Sequence, residues 1–324
     1  VAAVMGGRFG YKPEVLFAYA LSPEDEARWD GALRAALRLL RRHFHMTLMN
    51  VHHLRIEDGP DIDFQIKPTF HFFLGWGPLF GKVDYFLRQY SEKENPKRKE
   101  KGQQLARFGL FLRGGGPQRP DGDARDVYQL FVYPTAWDAE QVAEEYPDIN
   151  VHHAIGVDAG RFAPSSNPRD TPKPHGPPGR SALAVVGDVS WAARVDTLAE
   201  EPWLAALGRG GVVAMRDEGD VVSEEIRSLL AQHPSAEVVA FPGAEERAEL
   251  YRGAASVLFP MSEEGGGEWE LLEALASGAK VAVAEDNAKL QWLLAHFTKE
   301  GGPDVEMLTR SLVVALWSVL SSQA

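Results

Sequence analysis

Residues 256–285 read SVLFPMSEEGGGEWELLEALASGAKVAVAE. A branched and aromatic run ends at Pro260, and three glycines follow, Gly265, Gly266 and Gly267. A stretch with helical apolar spacing comes next, then a second branched run. Strand, glycine loop, helix and strand in that order make a parallel βαβ unit. Ligands of open parallel sheets bind beyond the carboxyl ends of the strands, which is where this loop falls. Glycines let the backbone approach a ligand, and a helix start offers free N–H groups and the positive dipole end. The loop therefore reads as a phosphate cradle. Yet Glu263, Glu264, Glu268, Glu270 and Glu273 crowd the same turn. On the helix, Glu270, Glu273 and Ser277 share one face, while Trp269, Leu272 and Ala276 share a neighbouring face that packs inward. Glu273 sits about one turn in, near enough to grip a ligand whose phosphate rests on the loop. Acids in a first turn also simply complement the dipole, at about 0.3–1 kcal/mol each. Spacing alone weighs the two readings evenly.

Working outward, the rest of the second half repeats the same alternation. ALAVVG, GVVAMRD, EVVAFPG, SVLFP and AKVAVAE read as strands. Between and after them, a stretch to about Leu207, then SEEIRSLLAQH, EERAELYRGA, EWELLEALASG and AKLQWLLAHF read as helices, and an amphipathic VEMLTRSLVVALWSVL closes the chain. The pattern predicts an α/β fold, a parallel sheet wound with helices on both faces. Before it, residues 163–180 (APSSNPRDTPKPHGPPGR) have the proline, glycine and serine content of a linker. The first half is less regular. Ser22 as cap, Pro23 and the acids after it start a helix in SPEDEARWDGALRAALRLLRRHFHMTLM, with Trp29, Leu33, Leu37 and Leu40 at helical spacing. FHFFLGWG, FGLFLRGGG and YQLFVYPT each end in glycine or a proline turn and read as strands. The lysine-rich RQYSEKENPKRKEKGQQ reads as a solvated loop or helix.

Bulk composition narrows the function classes. The 324 residues are 44% hydrophobic and 25% charged, as in ordinary folded proteins. The net charge of −12 disfavours nucleic acid as a partner. With no cysteine there are no disulfides, thiol catalysis or cysteine-ligated zinc. No apolar run approaches the ~20 residues of a membrane span, and no charged-then-apolar signal segment opens the sequence, which starts at Val1. A cytoplasmic protein is expected.

The stretch 256–285 resembles the donor-binding motif of the retaining GT-B glycosyltransferases, the large family 4 group. Three further passages agree in order and spacing: FPGAEERAELYRGAASVLFP (241–260), AIGVDAGRFAP (154–164) and YPTAWDAEQVAEEYP (133–147). The resemblance covers the chain from about residue 132 to the end. It implies two Rossmann-like doubly wound domains facing a cleft: residues 1–164 on the acceptor side, a linker at 165–180, and residues 181–324 binding the donor. It implies a nucleotide-sugar substrate, an acceptor of unspecified kind (small molecule, glycan or lipid), no cofactor, and metal-independent transfer with retention. Glu273 would hold the ribose hydroxyls, and the first motif glutamate would hydrogen-bond a hydroxyl of the donor sugar. N–H groups of Gly265, Gly266 and Gly267 would meet the diphosphate. Such a division suits the chemistry, since carboxylates specify hydroxyls while N–H groups and cations meet phosphate.

Two departures bear on activity. Eight residues separate Glu264 from Glu273 and nine separate Glu263 from it, one more than the family spacing even with Glu264, which we take as the first glutamate. Asp188 stands where the family places an arginine for the diphosphate, with Arg194 the nearest cation to its following lysine and Arg216 further on. These departures motivate a second hypothesis, a degenerate GT-B protein that binds a ligand or partner without turnover. A sugar-nucleotide epimerase on the same fold is a third.

In the first domain, MGGRFGYKPE carries Gly7 and Arg8 where the family has a glycine turn near the donor phosphate, and Lys12 lends charge. A tight turn with a solvated arginine is the competing reading. Arg113 occupies the strand end where the family often has a histidine, and His71 reads as a core or capping residue. Asp61 with Asp63, and Asp121 with Asp123, lie in proline- and glycine-rich turns and read as solvated acids. His52–His53 and His152–His153 lack the one-turn spacing of a helical metal site, so no metal is assigned. Residues 34–45, RAALRLLRRHFH, are basic and amphipathic. They suit peripheral contact with an anionic membrane, although a packed surface helix with solvated arginines is the simpler reading.

Overall fold

The computed structural model describes residues 12–23, 31–53, 70–76, 80–112, 124–164, 183–185, 212–215, 228, 231–232, 237–240, 243–254, 256–260, 267–300 and 304–320. The first sheet holds β1 (Glu14–Tyr19), β2 (His45–Asn50), β3 (Phe72–Trp76), β4 (Arg107–Phe111), β5 (Leu130–Tyr133) and β6 (Asn150–His153). Its order is β2-β1-β3-β4-β5-β6, with every pairing parallel. Helices α1 (Ala32–Leu40), α2 (Phe80–Glu100) and α3 (Ala136–Glu145) belong to this half.

The second sheet holds β7 (Leu183–Val185), β8 (Val212–Met215), β9 (Glu237–Ala240), β10 (Val257–Phe259) and β11 (Val281–Val283). Its order is β11-β10-β7-β8-β9, again all parallel. Helices α4 (Ala244–Gly253) and α5 (Glu268–Ala276) cross from β9 to β10 and from β10 to β11, α6 (Ala288–Glu300) follows β11, and α7 (Val305–Leu320) ends the described chain. In each sheet the strand order reverses beside the first strand, at β1/β3 and at β7/β10. Such a reversal opens the crevice in which doubly wound sheets bind ligands.

The first sheet is apolar on both faces, as parallel sheets require. Val15, Phe17 and Tyr19 point to one side with Phe72, Leu74, Leu130 and Val132. Leu16, Ala18, Phe73, Phe108, Leu110 and Phe131 point to the other, beneath α2 and α3. The α1 residues Ala32, Leu33, Ala36, Leu37 and Leu40 are all buried. They share the first side with Leu308, Leu312, Leu316, Trp317 and Leu320 of α7. The apolar face of residues 34–45 is thereby used within the protein, and Arg38, Arg41 and Arg42 are exposed beyond it. Although α7 follows the second sheet in the chain, it lies on the first. His152 Nε2 is 3.1 Å from Ser318 Oγ, and Arg107 donates to the Val319 carbonyl.

The chain passes between the two halves at two adjacent points. Val157 and Asp304 form a parallel bridge there. A Cβ built on Gly156 would stand 2.5 Å from the Asp304 carbonyl oxygen, so only glycine fits at the crossing. Among the described residues, no helix is long and apolar enough to cross a membrane.

One reading changes, one of two alternatives is chosen, and one strand was not read from the sequence. The stretch that begins as a helix at Ser22 becomes strand β2 from His45, because Met46 and Leu48 alternate and pack on the core. The lysine-rich 88–104 stretch is mostly the end of α2, which runs through Pro96. Strand β6 carries two histidines in four residues and lacks an apolar signature.

Candidate functional site

Helix α5 starts at the carboxyl edge of the second sheet, just beyond β10. Its N-cap is Gly267, buried and left-handed at φ +94°, a conformation that favours glycine. The third glycine of the loop is thus fixed by backbone geometry. Glu263, Glu264, Gly265 and Gly266 lie outside the described residues, as do Gly7, Arg8, Arg113, Asp188, Arg194, Arg216 and both aspartate triplets.

Glu273, one and a half turns into α5, is buried and 7% exposed. Its carboxylate meets Arg247 of α4 fork to fork, with Nε to Oε2 at 2.8 Å and Nη2 to Oε1 at 2.7 Å. Burial pushes the Glu273 carboxyl above its ordinary value, and Arg247 pulls it back. Burial also works against the Arg247 charge, but Glu273 more than compensates and raises the guanidinium above its ordinary value. The pair is ionised, because a bidentate fork at these distances is a charge-assisted interaction and arginine does not deprotonate. Tyr251, buried on α4, and Arg161, in the turn after β6, act on the same carboxylate. Ser277, on the face of α5 expected from spacing, donates to the Glu273 carbonyl at 2.8 Å.

A second buried charge cluster joins the halves. Lys289, in the first turn of α6, lies 2.5 Å from Glu268 Oε1, in the first turn of α5. It lies 3.6 Å from Asp138 Oδ1, in the first turn of α3 on the first sheet. Thr135 caps α3 by accepting from the Asp138 N–H, and its hydroxyl donates to Asp138 Oδ2 at 2.7 Å. Asn287 caps α6, accepting from the Leu290 N–H at 2.9 Å. Three helix N-termini therefore converge on two carboxylates and one ammonium, and the dipoles offset the excess negative charge. Burial pushes Asp138 upward, with Lys289 opposing. Lys289 rises because Glu268 and Asp138 outweigh the cost of its burial. Nearby, Trp269 of α5 packs against Phe111 of β4 with ring centroids 6.4 Å apart. Leu272, Ala276 and Trp269 pack on the second core as expected, and Trp269 also reaches the first core.

The sequence reading assigned no role to Arg247, Lys289 or Asp138, and each left a trace. Lys289 puts a cation in a helix first turn, where the dipole disfavours it, so a buried anion should be near. Arg247 falls on the stripe of α4 that buries Ala244, Ala248 and Tyr251, where an arginine needs a partner. His71 sits at the amino end of β3, where its Nδ1 accepts from the Glu14 N–H at 3.3 Å. It is the capping residue the sequence suggested, on the edge away from the crevices. Among the described residues, no group of three or more histidines, aspartates or glutamates is arranged to hold a metal ion. A cavity of about 740 Å³ runs along edge strand β2, lined by Glu14, Arg41, His45 and Met49 among others.

Solved structures of distant sequence share this architecture. A glycosyltransferase from Rickettsia africae superposes with a TM-score of 0.63 at 10% identity, covering 96% of this chain and 100% of that one. HepE from Anabaena, solved with UDP and glucose, gives 0.61 at 11% identity, with 96% and 100% covered. The UDP-GlcNAc 2-epimerase from Neisseria meningitidis, solved with UDP-GlcNAc, gives 0.55 at 12% identity, with 93% and 90% covered. The fold is GT-B. No family model matches the sequence, and no curated protein matches it. In GT-B terms, the Asp138–Lys289–Glu268 cluster and the Phe111–Trp269 contact join the carboxyl edges of the two Rossmann-like sheets. The Arg247–Glu273 pair lies within the second.

Proposed function

We propose that this protein transfers a sugar from a nucleotide donor to an acceptor, without metal and with retention at the sugar carbon. The observation that carries the proposal is the Glu273 carboxylate, ionised, buried and oriented one and a half turns beyond a glycine-capped helix start of a GT-B second sheet. Nucleotide-sugar complexes among structures of this fold, HepE with UDP and glucose and the epimerase with UDP-GlcNAc, support the same ligand class.

In this reading the ribose hydroxyls donate to Glu273. The diphosphate rests on N–H groups of Gly265, Gly266 and Gly267 at the α5 N-terminus, where the dipole favours developing negative charge on the leaving group. Glu264, or Glu263 in the lengthened loop, accepts from a donor-sugar hydroxyl. Arg194, with Gly7 and Arg8 of the first domain, completes the phosphate contacts.

The test is nucleoside diphosphate release from UDP-, GDP- and ADP-sugars, with and without simple acceptors. Expected are turnover of at least one donor, insensitivity to EDTA and an unchanged anomeric configuration in the product. Donor binding without consumption under every condition would favour the non-catalytic reading. The epimerase of the same fold supports a second reaction, recognised by an epimerised donor formed with no acceptor present.

A further inference from the structure

Arg247 has no part in the reading above, although it holds the residue on which that reading rests. Its side chain is 15% exposed and that of Glu273 is 9% exposed, so both charges are withdrawn from water. A carboxylate offers about two acceptor sites on each oxygen. The fork takes one site on Oε1 and one on Oε2. One outward site on each oxygen is left, and the two point to opposite sides of the carboxylate, so a ribose hydroxyl can reach one of them. We propose that Arg247 is the positioning residue of a ribose receptor, its planar fork holding Glu273 ionised and oriented so that a remaining outward acceptor site receives a hydroxyl of a nucleotide ribose. The proposal rests on the reading that Glu273 meets the ribose.

Charge state and orientation are separable contributions of the arginine. The groups acting on Glu273 are Arg247 and Tyr251 from α4, Glu270 from its own helix and Arg161 from the turn after β6. Burial favours the protonated carboxyl, and Arg247 is the leading opposing influence. Without it Glu273 takes up a proton at higher pH and loses acceptor capacity for the hydroxyl. Lysine in its place supplies the charge as a point and not the fork.

The experiment is calorimetric titration of the full chain with UDP, ADP and GDP, each against its 2′,3′-dideoxy counterpart. It compares wild type, Glu273→Gln, Arg247→Met and Arg247→Lys. Wild type should prefer the ribonucleotide by about tenfold or more, evenly between about pH 5.5 and 8.5. Glu273→Gln should lose the preference at every pH. Arg247→Met should lose it at the acid end and regain part of it as pH rises. Arg247→Lys should show a reduced preference that does not change with pH. If no ribonucleotide binds, or Glu273→Gln keeps the preference, the ribose reading itself fails. If Glu273→Gln loses it while both Arg247 variants keep the wild-type ratio throughout, only the role given to Arg247 fails. Should Arg247→Met not fold, Arg247→Lys decides: a reduced ratio supports the fork, and a full one overturns it.

Discussion

Lys289 Nζ lies 2.5 Å from Glu268 Oε1, and each side chain is 1% exposed. Two residues from the first turns of neighbouring helices thus form a fully desolvated pair at the carboxyl edge of the second sheet, with Asp138 of the first sheet as third member. Breaking a buried pair from one side leaves an uncompensated charge, which costs about 3–5 kcal/mol. Lys289→Met should therefore lower unfolding stability by about that amount in chemical denaturation. A double variant with Glu268→Gln should recover much of the loss. A double-variant loss equal to the sum of the separate Lys289→Met and Glu268→Gln losses would show that the pair is not coupled.

Asp138 gives a pH signature. Its carboxyl is raised by burial, so the folded state binds its proton more tightly than the unfolded chain does. Its contribution to stability is fully present below the ordinary value of 3.8 and is lost as pH rises through the higher folded value. The stability of Asp138→Asn relative to wild type should thus increase across that window and level off above it. Denaturation of both proteins at stepped pH measures the difference, and a flat difference would contradict the account.

Gly156 marks the crossing between halves. A methyl group there meets the Asp304 carbonyl at 2.5 Å and Leu308 Cβ at 2.8 Å. Backbone cannot yield as a side-chain tip does, so Gly156→Ala should force the crossing segments apart. The expected cost is in the range of about 1–3 kcal/mol found for overpacked sites. A thermal unfolding midpoint equal to wild type would show that the crossing is looser than described.

The strands of the second half were legible because they are short apolar runs, and so were the helices after residue 243. The helices expected up to about Leu207 and in 223–233 fall almost wholly outside the described residues. The loop before α5 also announced its glycine cap. What escaped the sequence was pairing at a distance. Arg247 and Glu273 are 26 positions apart, and Lys289 and Asp138 are further apart still. A local pattern records that a helix start carries an acid but not which cation will face it across a crossover. Strand β2 was hidden for another reason: HMTLMN follows a good helix directly, and its alternation is visible only once β1 lies beside it. The last helix was legible as a helix, yet its place against α1 depends on a return crossing that no local signal marks.

The central claim is that the crevice beside α5 takes a nucleotide sugar through Glu273. Melting temperature measured across UDP-, GDP- and ADP-sugars, for wild type and Glu273→Ala, tests it most directly. A donor at about 100 times its Kd stabilises the folded state by about 2.7 kcal/mol, enough for a clear upward shift. The account predicts that at least one donor raises the wild-type midpoint and that Glu273→Ala, itself folded, loses most of that shift. No shift with any donor, or an undiminished shift in Glu273→Ala, would contradict it.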